Sequence, residues 1–193
     1  PRMISMSFNP LTPEQAAVVL ERGGVLAYPT EGVWGLGCDP FDESAVRRVL
    51  EIKQRPASKG MIVIAADFAQ LAPLLRFDEL PAERKREVLA SWPGPNTWLI
   101  PCDPGVPVWL RGEHETLAVR VTSHEAAATL CRAFGKPLVS TSANFAGEPP
   151  ARFAHELDPR LLEQLDGIVE GETGGRTSPS TIRDAMSGSV LRG

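Results

Sequence analysis

Met61-Ile62-Val63-Ile64-Ala65-Ala66 is an unbroken apolar run of strand length. A strand with one wet face alternates apolar and polar residues, so a continuous run predicts a strand covered on both faces. Such a strand needs helices on either side of its sheet. Upstream, residues 43–53 carry Val46, Val49, Leu50 and Ile52 at helical spacing, and Pro56 cannot continue that helix. Further back, Thr12-Pro13-Glu14-Gln15 opens a helix: Thr12 can cap, Pro13 suits the first helical position and Gln15 can complete a capping box. Gly23-Gly24 ends it, residues 25–28 read as a short strand, and residues 29–39 read as a loop carrying Gly32, Gly35 and Gly37. Downstream, helices are expected over 68–75, 81–91 and 123–134, the last capped at Ser123 and stopped at Gly135. Strands are expected over 98–100, 117–119 and 137–140, the last running into Thr141-Ser142-Ala143-Asn144. Residues 171–188, rich in Gly, Ser, Thr and Pro, read as a surface loop or a flap over a site. Strands and helices mingle too irregularly for a doubly wound sheet, so the class is α/β or mixed α+β.

The whole chain narrows the function. Its 193 residues suit one domain, expected over 1–193. A net charge of −4 gives no support to nucleic acid as the main ligand. No apolar run approaches the ~20 residues that span a bilayer. Residues 1–10 lack the apolar core of a secretory signal. Cys38, Cys102 and Cys131 are odd in number and not closely paired, which suits a reducing cytoplasm. His114, His124 and His155 form no metal-spaced cluster, so no resident metal is expected. There is no G-x-x-x-x-G-K-[ST] loop, and Gly32-x-x-Gly35-x-Gly37 is not the G-x-G-x-x-G of a dinucleotide fold.

Four segments carry candidate chemistry. Lys53-Gln54-Arg55-Pro56 with Ser58-Lys59-Gly60 places three cations where a helix gives way to a loop just before the apolar run. Such cations serve a helix C-terminus, or they bind a triphosphate, arginine as a fork and lysine as a point charge. Ser140-Thr141-Ser142-Ala143-Asn144 sets hydroxyls and an amide at a strand end, fit for local backbone bonds or for phosphate oxygens, a ribose or the water shell of a metal. Arg120, within Leu117-Ala118-Val119-Arg120-Val121, is either the solvent half of an alternating strand or a grip for a carboxylate. Tyr28-Pro29-Thr30-Glu31 ends a strand in a hydroxyl and a carboxylate, as a turn or a site would.

Taken together, these segments resemble the YrdC/TsaC family of threonylcarbamoyl-adenylate synthases. The likeness runs from Val25 to Gly193 through the segment from Tyr28 to Gly37, Lys53-Gln54-Arg55-Pro56 with Lys59-Gly60, and Trp92-Pro93-Gly94-Pro95. It continues through Ala118-Val119-Arg120-Val121, the segment from Pro137 to Asn144, and Gly171-Glu172-Thr173-Gly174-Gly175. The family signature pairs K-x-R with a distant S-x-N. The resemblance implies that Lys53, Arg55, Ser142 and Asn144 hold the phosphates of ATP and the adenylate, with Lys53 and Arg55 catalytic. It implies that Lys59, Ser140, Ser180 and Arg192 join the nucleotide site and that Thr30 and Arg120 hold threonine. It further implies a twisted, mostly open sheet around a deep groove, and Mg²⁺ entering with ATP. The reaction implied joins L-threonine, bicarbonate or CO₂, and ATP into threonylcarbamoyl-AMP and pyrophosphate. Its product feeds a downstream threonylcarbamoyl-transferase complex acting on tRNA. Trp34 stands where the family often has Tyr or Phe, and the strand at 61–66 lacks the histidine that longer relatives carry near its end. The rival reading is an RNA-binding or ribosome-maturation module without catalysis, with weak RNA affinity. A hydrogenase-maturation carbamoyl-transfer domain is less apt, because the zinc-finger and acylphosphatase parts that accompany it are missing.

Overall fold

The computed structural model describes residues 9–176 and 179–192, so most of the leader reading at residues 1–10 lies outside the described residues. The elements, in chain order, are α1 (Pro13–Glu21), β1 (Leu26–Pro29), β2 (Trp34–Gly37), α2 (Glu43–Ile52), β3 (Ile62–Ala65), α3 (Phe68–Leu71) and α4 (Ala82–Ser91). There follow β4 (Asn96–Pro101), α5 (Val108–Arg111), β5 (Thr116–Val121), α6 (Glu125–Phe134), β6 (Leu138–Ser142), α7 (Pro159–Leu162), β7 (Gly167–Ile168), β8 (Thr181–Asp184) and β9 (Val190–Arg192). Short 3₁₀ turns link several of them.

The nine strands form one mixed sheet in the order β7-β1-β2-β6-β3-β5-β4-β8-β9. Its centre is β3, parallel to β5 and antiparallel to β6. The apolar run is covered on both faces. Val63 and Ala65 enter the larger core with α2 and the β4–β5 side chains. Ile64 and Ala66 enter a second core beneath α1 and α6. The α1 start is as expected: Thr12 Oγ1 accepts from the Gln15 amide at 3.2 Å, and Gln15 returns the bond to the Thr12 amide at 3.0 Å.

Five expectations need correction. The loop at 29–39 contains β2, which pairs antiparallel with β1 from Leu26↔Gly37 to Pro29↔Trp34. Its glycines mark close approach within a strand. A Cβ on Gly37 would lie 2.1 Å from the Val139 carbonyl and 2.8 Å from the Tyr28 ring. Pairing with β2 also carries β6 on to Ser142, past the expected end at 140. The helix expected over 123–134 begins at Glu125, capped by His124 Nδ1, which accepts from the Ala127 amide at 3.4 Å. Ser123 is unavailable because its amide and hydroxyl both donate to Glu31. The helix at 68–75 is α only through Leu71, since Pro73 withholds the amide that would continue it. Finally, the flap segment at 171–188 contains β8, held parallel to β4 by backbone bonds, while Thr177 and Ser178 lie outside the described residues.

Candidate functional site

The sheet face that α1 and α6 cover at one end is open at the other, and the residue types change where the cover stops. On β6, Leu138 is in the core under α6, whereas Ser140 and Ser142 on the same face line a cavity of about 610 Å³. On β3, Ile64 is covered and Ile62 lines the cavity. The register sets Ser140 opposite Ile62, Ile62 opposite Ala118 and Ala118 opposite Leu99, so these four residues form one row across the floor. Arg120 follows Ala118 on this face, and Leu117, Val119 and Val121 point into the larger core. The alternation along β5 therefore separates core from cavity. Arg120 is 6 % exposed, which overturns the solvent-facing reading.

Nine of the ten residues proposed from sequence line this cavity: Thr30, Arg55, Lys59, Arg120, Ser140, Ser142, Asn144, Ser180 and Arg192. Lys53 stands behind the wall. Its Nζ donates to the Ser142 carbonyl and hydroxyl at 2.9 and 3.2 Å, to the Asn144 carbonyl at 2.9 Å and to Asn144 Oδ1. Ser142 Oγ in turn donates to Asn144 Oδ1 at 2.7 Å. The two signature halves thus meet in space, with the lysine pinning the Ser142–Asn144 turn. Desolvation, and then the charge of Arg55, bring the Lys53 ammonium down to about 8. Arg55 Nε donates to the Gly60 carbonyl at 3.0 Å, and desolvation also lowers its pKa.

At another wall, Arg192 donates from Nε and Nη2 to the Ser180 carbonyl at 3.0 and 2.9 Å, and Ser180 Oγ lies 2.8 Å from Thr97 Oγ1. Desolvation first, and Arg120 second, lower the Arg192 pKa. Thr30 is buried and donates to the Val33 carbonyl at 2.6 Å.

Several lining residues were not foreseen. Arg111, Arg152 and Arg176 add to the cationic walls, and His114 lines them too. No pattern announced them, because each reaches the cavity from a loop or from the end of the one-turn helix α5, distant in sequence. Glu31, left between turn and site, is the one carboxylate among the described lining residues. Trp34 is 2 % exposed and belongs to the larger core. The chain is acidic overall, yet this cavity concentrates arginine and lysine beside hydroxyls, an arrangement that favours a polyanion with a planar carboxylate or phosphate group. Among the described residues, no group of three or more His, Cys, Asp or Glu side chains is placed to hold a metal.

The Sua5/YciO/YrdC family model, described as telomere recombination, matches residues 18–193. The chain belongs to the Sua5/YciO/YrdC family. A threonylcarbamoyl-AMP synthase of Stenotrophomonas maltophilia is 61 % identical over 182 residues, covering 94 % of this chain and 98 % of the relative. A protein of the same name from Xanthomonas euvesicatoria is 55 % identical, covering 93 % and 96 %. Among solved structures, P. abyssi Sua5 complexed with L-threonine superposes with a TM-score of 0.82 at 35 % identity, over 89 % of this chain. The chain spans about half of that longer Sua5 protein, 50 % of its length. E. coli YciO matches with a TM-score of 0.82 at 28 % identity, over 96 % of this chain and 91 % of its own. The mixed sheet and its open groove are thus the Sua5/YciO/YrdC architecture. No helix among the described residues is long and apolar enough to cross a membrane.

Proposed function

We propose that this chain is an L-threonylcarbamoyladenylate synthase, condensing L-threonine, bicarbonate or CO₂, and ATP into threonylcarbamoyl-AMP and pyrophosphate. The observation that carries the reading is the joining of Lys53, from behind the wall, to Ser142 and Asn144, which line with Arg55 a cavity that also holds Arg120. One cavity therefore gathers groups whose chemistry suits a phosphate and a carboxylate together. The names of the close relatives agree with it.

In this reading the amine of threonine adds to CO₂ and loses a proton, giving an N-carboxylate. Addition to bicarbonate instead releases water. An oxygen of that carboxylate attacks the α-phosphorus of ATP, and the bond to the bridging oxygen of pyrophosphate breaks. Such a displacement depends on alignment and charge neutralisation rather than on a protein nucleophile. Arg55, Lys59 and Lys53 offset phosphate charge. Ser140, Ser142 and Asn144 hold the α-phosphate and adenylate, Ser180 and Arg192 complete the nucleotide wall, and Thr30 and Arg120 hold threonine. Mg²⁺ fits as a ligand carried by the triphosphate, since it keeps most of its waters and needs few protein carboxylates. It would neutralise charge on the leaving pyrophosphate. We further propose a cytoplasmic location and delivery of the product to a transferase complex that modifies tRNA.

The test is pyrophosphate release from ATP and Mg²⁺, with and without L-threonine and bicarbonate. Release that needs both establishes the reaction. A folded protein that releases none, and binds RNA in a salt-dependent way, is instead a binding module.

A further inference from the structure

Glu31 lies two residues past the end of β1 and is the one carboxylate among the described residues lining a cavity otherwise rich in arginine and lysine. An acid there opposes the capture of anions, so its presence calls for a reason. Its surroundings give one. Oε2 accepts from Arg120 Nη1 at 2.6 Å, and the two side chains are 12 % and 8 % exposed. Oε1 accepts from the Thr122 hydroxyl at 2.9 Å. The Ser123 amide and hydroxyl donate to Oε2 at 3.2 and 3.4 Å. Four donors from the end of β5 and the approach to α6 thus fix the carboxylate, which leaves it little freedom to serve as a mobile acid or base.

The pairing is one-sided. Glu31 engages Nη1, while the buried Nε of Arg120 has no partner among the described residues. A guanidinium offers its donors as a fork, and two parallel bonds to a carboxylate need one free edge held at a fixed angle. Glu31 occupies one end of Arg120 and leaves the Nε edge unmet. The backbone of the same turn also receives the segment after β7: the Thr30 carbonyl accepts from Gly174 and the Glu31 carbonyl from Arg176, each at 3.0 Å. The approach is close enough that a Cβ on Gly174 would lie 2.9 Å from the Glu31 carbonyl oxygen.

We propose that Glu31 is a positioning residue that sets the angle of Arg120 for the carboxylate of the amino-acid substrate. This rests on the reading of Arg120 given under the proposed function. Removing the side chain lets the guanidinium rotate. The cost falls on binding of the amino acid and spares the nucleotide, whose groups lie on other segments of the chain.

The experiment measures pyrophosphate release by the wild-type chain, Glu31→Gln and Glu31→Ala, varying L-threonine at saturating ATP and then ATP at saturating L-threonine. Glu31→Ala is expected to raise KM for threonine about tenfold or more, with KM for ATP and kcat within about threefold of wild type. Glu31→Gln, which keeps an oxygen for Nη1, should recover part of the loss. Calorimetric titration of each variant with L-threonine and with L-threoninamide supplies a second readout. The preference for the free carboxylate should shrink in both variants. An unchanged KM for threonine, or equal losses toward threonine and ATP, overturns the proposal. Where Glu31→Ala does not fold, Glu31→Gln alone decides it by the same criteria. A wild-type chain without threonine-dependent release refutes the parent reading instead, so the two failures are told apart.

Discussion

Lys53 Nζ donates to the Ser142 carbonyl at 2.9 Å across 89 positions of sequence, tying the end of α2 to the end of β6. Four oxygens of Ser142 and Asn144 surround an ammonium that has three protons. The lysine thus shapes the turn as well as charging it. Its lowered pKa of about 8 gives a signed expectation. Below that pH the group is cationic and supports phosphate binding. Above it the charge is lost, and kcat/KM for ATP should fall. Lys53→Arg should hold its charge and flatten this fall in a pH–rate profile from about 6.5 to about 9.5. The stability contribution has the opposite sign. The unfolded chain keeps this proton up to the ordinary value of 10.5, so between about 8 and 10.5 this group alone makes stability rise with pH. Urea midpoints of wild type and Lys53→Gln across that window check this.

Arg55 lies at the cavity edge, exposed and held by one bond from Nε to Gly60. Arg55→Ala should therefore leave folding intact and reduce kcat/KM for ATP by about 10²–10³, the range for one lost hydrogen-bond donor to a developing oxyanion. Circular dichroism with pyrophosphate release measures both. A folded variant with near-normal turnover removes Arg55 from the phosphate site.

With Mg²⁺ carried by the nucleotide, chelation by EDTA should abolish pyrophosphate release while leaving L-threonine binding within about twofold, measured by calorimetry. Loss of threonine binding on chelation would instead place a metal among the amino-acid contacts.

Gly37→Ala tests the packing of β2. The added methyl would meet a carbonyl and a buried ring, neither of which gives way as the end of a flexible side chain would. Overpacking of this kind costs about 1–3 kcal/mol, a fall of several degrees in melting temperature at this chain length. Gly135→Ala is a useful contrast: a Cβ there meets nothing within 4 Å, so its cost comes from the left-handed backbone at φ +76°.

The sequence by itself determined the helices that carry a face and a cap, such as α1 with Thr12 and Gln15, and the doubly covered strand at 61–66. Those signals are local, set by side-chain period and by hydrogen bonds spanning three residues. It also held the identity of the K-x-R and S-x-N residues, through the order of several motifs. Only the tertiary structure decided that Gly35 and Gly37 belong to a strand, because the Tyr28 ring and the Val139 carbonyl that demand glycine come from other strands. Only it decided that Ser123 serves Glu31 and not the helix, and that Lys53 stands behind the turn rather than in the cavity wall. The polar face of β5 could not be assigned to solvent or to a groove from its alternation. That depends on where α1 and α6 stop covering the sheet, a long-range packing outcome that no local period records.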